Sequence, residues 1–459
     1  MGSISTKPPS GMRDFLAAEV ARRRHVIGVI ERVYESFGFV PLETPAIENL
    51  STLLGKYGPE GDQLLYRLLH RRERLARALA AGAPEEADLS DEGLRYDLTV
   101  PLARVVANHP ELPPFFKRYQ IQPVWRADRP AKGRFREFWQ CDVDAIGTRS
   151  PVADAEVIGA VATVLKHLGF GGEAAPFQIH VNHRELLRAM VAVARIGPEL
   201  EASTLIALDK LEKIGREGVI KELVEKGIEA TDAHQVLTHL DHARAPRFLE
   251  RVAESPAHAA CAAAAGLLEL LALARSGPAA AHLVFDPTLA RGLSYYTGPI
   301  FEITLPGLAG SIGGGGRYDG LIGMFSKHQI PAVGFSLGLE RILLVMEERG
   351  MFPPRCVGPE LLLCRFPDVP AAEAIRIATQ LRAERALADG TRAPGLRVEL
   401  FADTPAVGKQ IAYAVGIGAP FVGLVGGDEL ASGRLTVKKL ATGEQKALPV
   451  AEVPAFVRG

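Results

Sequence analysis

One stretch, Lys117–Asp144, KRYQIQPVWRADRPAKGRFREFWQCDVD, constrains this chain more than any other. Aromatic and β-branched residues are dense in Tyr119–Arg126 and again in Arg134–Asp144, and the ADRPAKG between them carries the Asp, Pro and Gly of an exposed turn. The pattern predicts two antiparallel strands joined by a loop. Arg118, Arg126, Arg129, Lys132, Arg134 and Arg136 crowd that hairpin, opposed only by Asp128 and Glu137 before the acidic end of the second strand. A polyanion suits such a surface. A solvated charged hairpin leaves the same trace in a sequence, so the choice rests on the motifs elsewhere.

At 459 residues the chain exceeds what one hydrophobic core serves, and two or three domains are expected. No run of about 18 apolar residues exists to span a bilayer, and MGSISTKPPSGMRDF has neither the apolar core of a secretory signal nor an Arg-rich presequence. A cytoplasmic location with no membrane partner is the expectation. Cys141, Cys261, Cys356 and Cys364 are too scattered for a zinc ribbon or a disulfide framework, which fits a reducing compartment. The net charge of −1 decides nothing by itself, because a nucleic-acid binder can gather its cations on one face.

Taken in order, apolar Val20, Ile27, Ile30, Val33, Tyr34 and Phe37 recur at helical spacing until Gly38. Phe39–Glu48 reads as a strand broken by Pro41 and Pro45, fit for a sheet edge or an oligomer contact. Lys56–Leu79 is basic and helical toward its end, and the acidic Gly82–Gly93 reads as an exposed excursion. Leu94–Thr99 is a short expected strand running into a helix with Pro101 in its first turn. After the hairpin come a helix at Val152–Leu168 and a strand at Phe177–His183, then an almost wholly helical text from Pro198 to Ser276 that reads as an insertion. Strand character returns at HLVFDPT and Ser294–Leu305, and AVGFSLGLERILLVMEE reads as strand, Gly, and a helix from about Leu337. Past a Pro/Gly-rich linker, LLLC, LRVELF and FVGLV alternate with helices at Ala371–Ala388 and Val407–Val415, and a hairpin turning at Gly443 closes an α/β unit with a mostly parallel sheet.

No GxxxxGK[ST] and no GxGxxG between strand and helix is present to cradle phosphates. Gly313–Gly316 has the wrong spacing, and four glycines in a row mark either a bend or backbone passing close to a ligand or another strand. Phosphates not held by a helix N-terminus need guanidinium forks, which the chain offers at Arg126, Arg291 and Arg341.

These segments resemble a known family. FKRYQIQPVWRADRPAKGRFREFWQCDVD is similar to motif 2 of class II aminoacyl-tRNA synthetases, GFSLGLERILL to motif 3, and the Pro45 segment to motif 1. LARGLSYYTGPIFEI and SIGGGGRYDGLIGMF resemble the two histidine-specific motifs of histidyl-tRNA synthetases, and YDLTVPLAR their amino-acid loop. The resemblance covers nearly the whole chain, including GKQIAYAVGIGAPFVGLVGGDELASGRLTVKKLATGEQ, which is similar to the family's anticodon-binding domain. It implies a multidomain α/β protein: an antiparallel-sheet catalytic core in two parts, residues 1–195 and 279–350, split by a helical insertion at 196–278. A linker at 351–359 and an α/β anticodon-binding domain at 360–459 complete it.

The same resemblance implies a homodimeric ligase that joins L-histidine to its tRNA through histidyl-adenylate, with ATP as substrate and Mg²⁺ as its companion. Arg126 would bridge the α-phosphate and the substrate carboxylate, Arg291 would act across the phosphorus, and Arg341 would stack on adenine and reach the γ-phosphate. Arg134 and Glu137 complete the implied ATP set. Asp144 and Tyr296 would hold the imidazole, Asp97, Thr99 and Gln140 the α-amino group, with Arg126, Arg291, Tyr295 and Tyr318 around them. Without the motif, Asp97 before a helix reads as a cap. Arg129 and Lys132 are candidates for the tRNA acceptor end, whereas Lys438 and Lys439 read better as a solvated hairpin.

Two positions depart from the family pattern. Ser294 stands where RGLDYYTG has a carboxylate, and Asp144 is a methylene shorter than the Glu of many bacterial members. A histidine-binding regulatory paralogue of ATP phosphoribosyltransferase is the alternative the resemblance allows. Such paralogues lack the anticodon domain and commonly lose the arginines this chain keeps.

Overall fold

The computed structural model describes residues 4–256, 258–290, 295–308, 310–353, 358–386, 392–403 and 405–458. It divides into two compact units, Met1–Asp14 with Arg23–Met351, and Phe15–Arg22 with Phe352–Gly459.

The larger unit is built on an eight-stranded sheet. In chain order its strands are β1 (Val40–Pro41), β2 (Phe116–Trp125), β3 (Glu137–Ile146), β4 (Gln178–His183), β5 (Leu283–Phe285), β6 (Pro299–Thr304), β7 (Gly313–Arg317) and β8 (Ala332–Gly338). They lie in the order β1-β2-β3-β8-β7-β6-β4-β5, antiparallel throughout except for the parallel edge strands β1 and β5. The expected antiparallel core is present. Pro41 sits on the edge strand, where its missing N–H costs no ladder bond.

Alternation along β3 divides its residues between the two faces of the sheet. Cys141, Val143 and Ala145 are fully buried on one face, while Gln140, Asp142 and Asp144 share the other. Helix Ala17–Ser36 buries Val26, Val29, Ile30, Val33 and Tyr34. Its Arg23 pairs at 2.9 Å with Glu340 of helix Leu339–Glu348, whose other oxygen accepts from the Trp139 backbone N–H at 3.0 Å. The two ends of the polar pair therefore tie both helices to the start of β3.

The hairpin is formed, but its loop is longer than the sequence pattern implied: the first strand stops at Trp125 and the second starts at Glu137. Arg134 and Arg136 belong to the loop: Arg136 O still accepts from the Arg126 backbone N–H at 2.9 Å, but its own N–H donates to Gly11 O at 2.8 Å and its Nε to Asp128 O at 3.0 Å. The acidic Gly82–Gly93 segment is largely exposed, as expected, yet it forms regular structure. A short helix, Glu86–Leu89, is closed by a capping box between Glu85 and Asp88, and Glu92–Leu94 joins a three-stranded sheet between Ile47–Asn49 and Arg67–Leu68. Backbone N–H groups of Leu50 and His70 donate to Asp91 O at 2.9 Å and Leu89 O at 2.8 Å and hold the segment, with the exposed ion pairs Arg67–Glu86 and Arg74–Asp91 beside them. Phe39–Glu48 thus serves two sheets rather than one strand.

Residues 198–275 form helices, as composition predicts, running from Pro198–Leu208 to Cys261–Arg275. Their buried Leu205, Val219, Leu237 and Leu240 belong to one apolar cluster with Tyr57, Tyr295 and Tyr318 next to the sheet. No helix among the described residues is long and apolar enough to cross a membrane.

The smaller unit has a five-stranded sheet ordered Val398–Leu400, Leu361–Arg365, Phe421–Val425, Arg434–Lys439, Gln445–Pro449. Its first two pairings are parallel and its last two antiparallel, so the sheet is half parallel rather than mostly so. The helix expected over Ala371–Ala388 ends at Arg382. The Leu381 carbonyl is taken by the Leu396 backbone N–H at 2.8 Å as the chain returns, and Arg385–Ala386 pairs with Arg392–Ala393 instead.

Candidate active site

The polar face of β3 is the floor of a cavity of about 900 Å³. Register brings the floor together: Asp144 lies opposite Gly334, Asp142 opposite Ser336, and Gln140 opposite Gly338. Bare glycines beside the acids leave the room. A Cβ on Gly334 would stand 1.9 Å from Asp144 Oδ1, and one on Gly316, its partner in the ladder, 2.9 Å from the Tyr296 ring. The four glycines are thus neither a bend nor a loop; they form strand β7, inside the sheet.

Of the residues picked from sequence, Asp97, Thr99, Arg126, Arg134, Gln140, Asp144, Tyr295, Tyr296, Tyr318 and Arg341 all line this cavity. Glu137 does not: it is exposed, and its Oε2 accepts from Trp125 Nε1 at 3.2 Å. Arg291 and Ser294 lie outside the described residues. Arg129 and Lys132 are exposed on the loop, Lys132 within 2.7 Å of Glu348.

Asp97 is bonded as a helix cap and also lines the cavity. Its Oδ1 accepts from the Val100 backbone N–H at 3.0 Å, as a cap would, and from Tyr57 OH at 3.1 Å, while Oδ2 accepts from Tyr295 OH at 3.3 Å. Burial pushes this carboxyl up from the usual range, and the backbone N–H of Val100 and the nearby Arg126 charge oppose the shift. A buried acid so placed is ready for a cationic ligand group.

Asp144 is equally enclosed. Tyr318 OH donates to Oδ1 at 2.5 Å, and a terminal nitrogen of Arg118 stands 2.8 Å from Oδ2. That second approach is a charge contact rather than a hydrogen bond, since Oδ2 has no donor aimed at it. Arg118 is completely buried, which sequence grouping with the surface cations of the hairpin did not anticipate. Its other bonds go to Gln120 Oε1 at 3.1 Å and Leu98 O at 3.4 Å. Burial raises the Asp144 and Asp142 carboxyls, with Arg118 pulling both back down.

Arg126 is held edge and face. Its Nε donates to Tyr96 O at 3.1 Å, and the guanidinium lies 4.2 Å from the Tyr96 ring centroid and 5.1 Å from that of Phe138. Among the described residues no hydrogen bond occupies its two terminal nitrogens. Arg341 donates to Ser311 O and packs by Gly133 and Gly310, and burial lowers its guanidinium from the ordinary value. Arg134 pairs with Asp128 at 2.9 Å on the open side. The cavity therefore has acids at the β3 floor and arginines around it.

Asp142, Glu302, Phe138 and Ser336 also line the cavity, as do Asp209 and Lys213 of the helical insertion. Strict alternation from Gln140 to Asp144 puts Asp142 on the same face, so that residue was within reach of sequence reasoning. Nothing local marks the others.

The sequence profile described as histidyl-tRNA synthetase matches residues 85–342, and that described as anticodon binding domain matches residues 370–459. The histidine–tRNA ligase of Christiangramia forsetii is 40% identical over 465 residues, covering 97% of this chain and 98% of its own. That of Porphyromonas gingivalis is 40% identical over 455 residues, covering 96% of each. The crystal structure of histidyl-tRNA synthetase from Nostoc sp. matches with a TM-score of 0.79 at 28% identity, over 99% of both chains. By profile, by near-full-length identity and by fold, this chain belongs to the histidyl-tRNA synthetase family.

Proposed function

We propose that the cavity joins L-histidine to ATP as histidyl-adenylate and then passes the histidyl group to its tRNA. One observation carries this reading: side chains suited to an ammonium, an imidazole and a phosphate chain converge in one cavity. In the first step a substrate carboxylate oxygen attacks the α-phosphorus and pyrophosphate departs with the bonding pair. In the second a ribose hydroxyl of the tRNA attacks the acyl carbon, its proton is lost, and AMP leaves.

Both partners of the first step are anions, so the protein's task is neutralisation and alignment. Arg126 supplies a fork for the carboxylate and the α-phosphate, fixed by Tyr96 and Phe138. Arg341 and Arg134 meet the outer phosphates, and the flat Arg341 guanidinium suits stacking on the base. Arg291 is assigned the opposite side of the phosphorus by family resemblance. Asp97 with Thr99 and Gln140 takes the ammonium, and Asp144 with Tyr296 takes the ring N–H, a polar match that excludes isosteres without it.

Mg²⁺ fits as a guest of the phosphates. No group of three or more His, Cys, Asp or Glu converges among the described residues, and Mg²⁺ characteristically keeps waters and phosphates with one or two carboxylates. Glu302 on the cavity wall is the carboxylate proposed for it. When bound, the ion neutralises charge on the departing pyrophosphate.

The smaller unit is assigned to the anticodon, with unstacked bases met on sheet and loops. A cytoplasmic homodimer belongs to the same proposal; the dimer is supported by Val40 and Ile47, apolar yet 47% and 41% exposed in the segment resembling motif 1. Sedimentation as a single chain would remove the dimer.

The test is exchange of labelled pyrophosphate into ATP with each of the twenty amino acids. Exchange with histidine alone is expected. Calorimetric binding of histidine without any exchange would instead favour the regulatory paralogue.

A further inference from the structure

Residues 50–65 supply none of the site residues picked from sequence, yet Tyr57 reaches the centre of the site. It is 4% exposed, and its OH donates to Asp97 Oδ1 at 3.1 Å across a separation of 40 residues. Its ring lies 4.5 Å from that of Tyr96 at 39°. Tyr96 in turn holds Arg126, through its carbonyl and its ring face. One side chain thus touches the support of both the acid and the arginine.

We propose that Tyr57 is a positioning residue for the amino-acid end of the cavity, fixing the Asp97 carboxylate that receives the α-ammonium and steadying Arg126 through Tyr96. This rests on the function proposed above. Asp97 Oδ1 is shared between the Val100 backbone N–H and Tyr57, so the tyrosine sets which way the carboxylate rotates. Tyr295 holds Oδ2 from the other side. Without Tyr57, rotation about χ2 is limited by one side-chain donor rather than two, and a buried carboxylate loses a bond that favours its charged form.

The charged and titratable groups around Asp97 are Tyr57, Tyr295 and the Arg126 guanidinium, with Asp142 and Asp144 adding negative potential from β3. Loss of the Tyr57 bond moves the acid toward its neutral form, which holds an ammonium poorly. The effect therefore grows as the pH falls.

The experiment is Tyr57→Phe, which keeps the ring and its contact with Tyr96. In pyrophosphate exchange, KM for histidine rises about tenfold, the size expected when a charged acceptor loses one hydrogen bond, while KM for ATP changes less than about twofold. The acid limb of kcat/KM for histidine shifts to higher pH. Calorimetry on Asp97→Asn shows no further loss of histidine affinity when Tyr57→Phe is added, because both act through one carboxylate. An unchanged KM for histidine and an unmoved acid limb in a folded Tyr57→Phe protein overturn the proposal, as does full additivity with Asp97→Asn. Absence of histidine-dependent exchange in the wild type is a different failure, that of the proposed function itself.

Discussion

Arg126→Ala lowers histidine-dependent pyrophosphate exchange about a thousandfold, at the upper end of what one preorganised charge donor supplies. The guanidinium costs nothing to orient at the moment of reaction, since Tyr96 O holds Nε and two aromatic rings fix its plane. Alanine leaves two anions to approach each other without that screen. Arg126→Lys does not recover the rate, because a point charge cannot bond carboxylate and phosphate together from Tyr96 and Phe138. The loss falls mainly on kcat, with ATP still held by the remaining arginines. A fall of less than tenfold, or full rescue by lysine, contradicts the role.

Arg118→Met destabilises the fold by about 3–5 kcal/mol at pH 8, the cost of stranding a buried charge. The guanidinium is wholly enclosed, 2.8 Å from Asp144, and it is the group that draws both Asp144 and Asp142 back toward the charged state. The sign of the pH dependence follows. Burial already raises both carboxyls above their unfolded values near 4, so each favours the fold when protonated and opposes it as pH rises through its folded value. Removing Arg118 raises them further, so the variant's deficit shrinks toward pH 4 and widens toward pH 8. Urea denaturation at both ends of that range checks it. A deficit that does not vary with pH would mean lost packing, not lost charge.

The sheet was readable because its hairpin alternates, whereas Gln140 and Asp144 were carried by motif resemblance, and Asp142, which the same alternation puts beside them, was passed over. The helical text after Pro198 was readable from composition. What escaped was decided by partners far along the chain. Arg118 reads as one more surface cation in a basic hairpin until β2 and β3 pair and place it against Asp144. Tyr57 meets Asp97 across 40 residues, and nothing local marks it. The end of the helix at Arg382 escaped for the same reason, since a returning chain at Leu396 claims the Leu381 carbonyl. Glu137 was carried by motif resemblance alone, and its side chain turns to Trp125 instead of the cavity.

The room beside Asp144 exists because residues 316 and 334, paired in register on its face of the sheet, have no side chains, and an added Cβ at either would meet another atom within 2.7 Å. A glycine can change in one direction only. Every replacement there adds volume, so this pocket cannot be enlarged by the mutations most accessible to it at these positions. Its substrate range can drift toward smaller guests or toward none, and any widening has to begin on the walls, among the tyrosines.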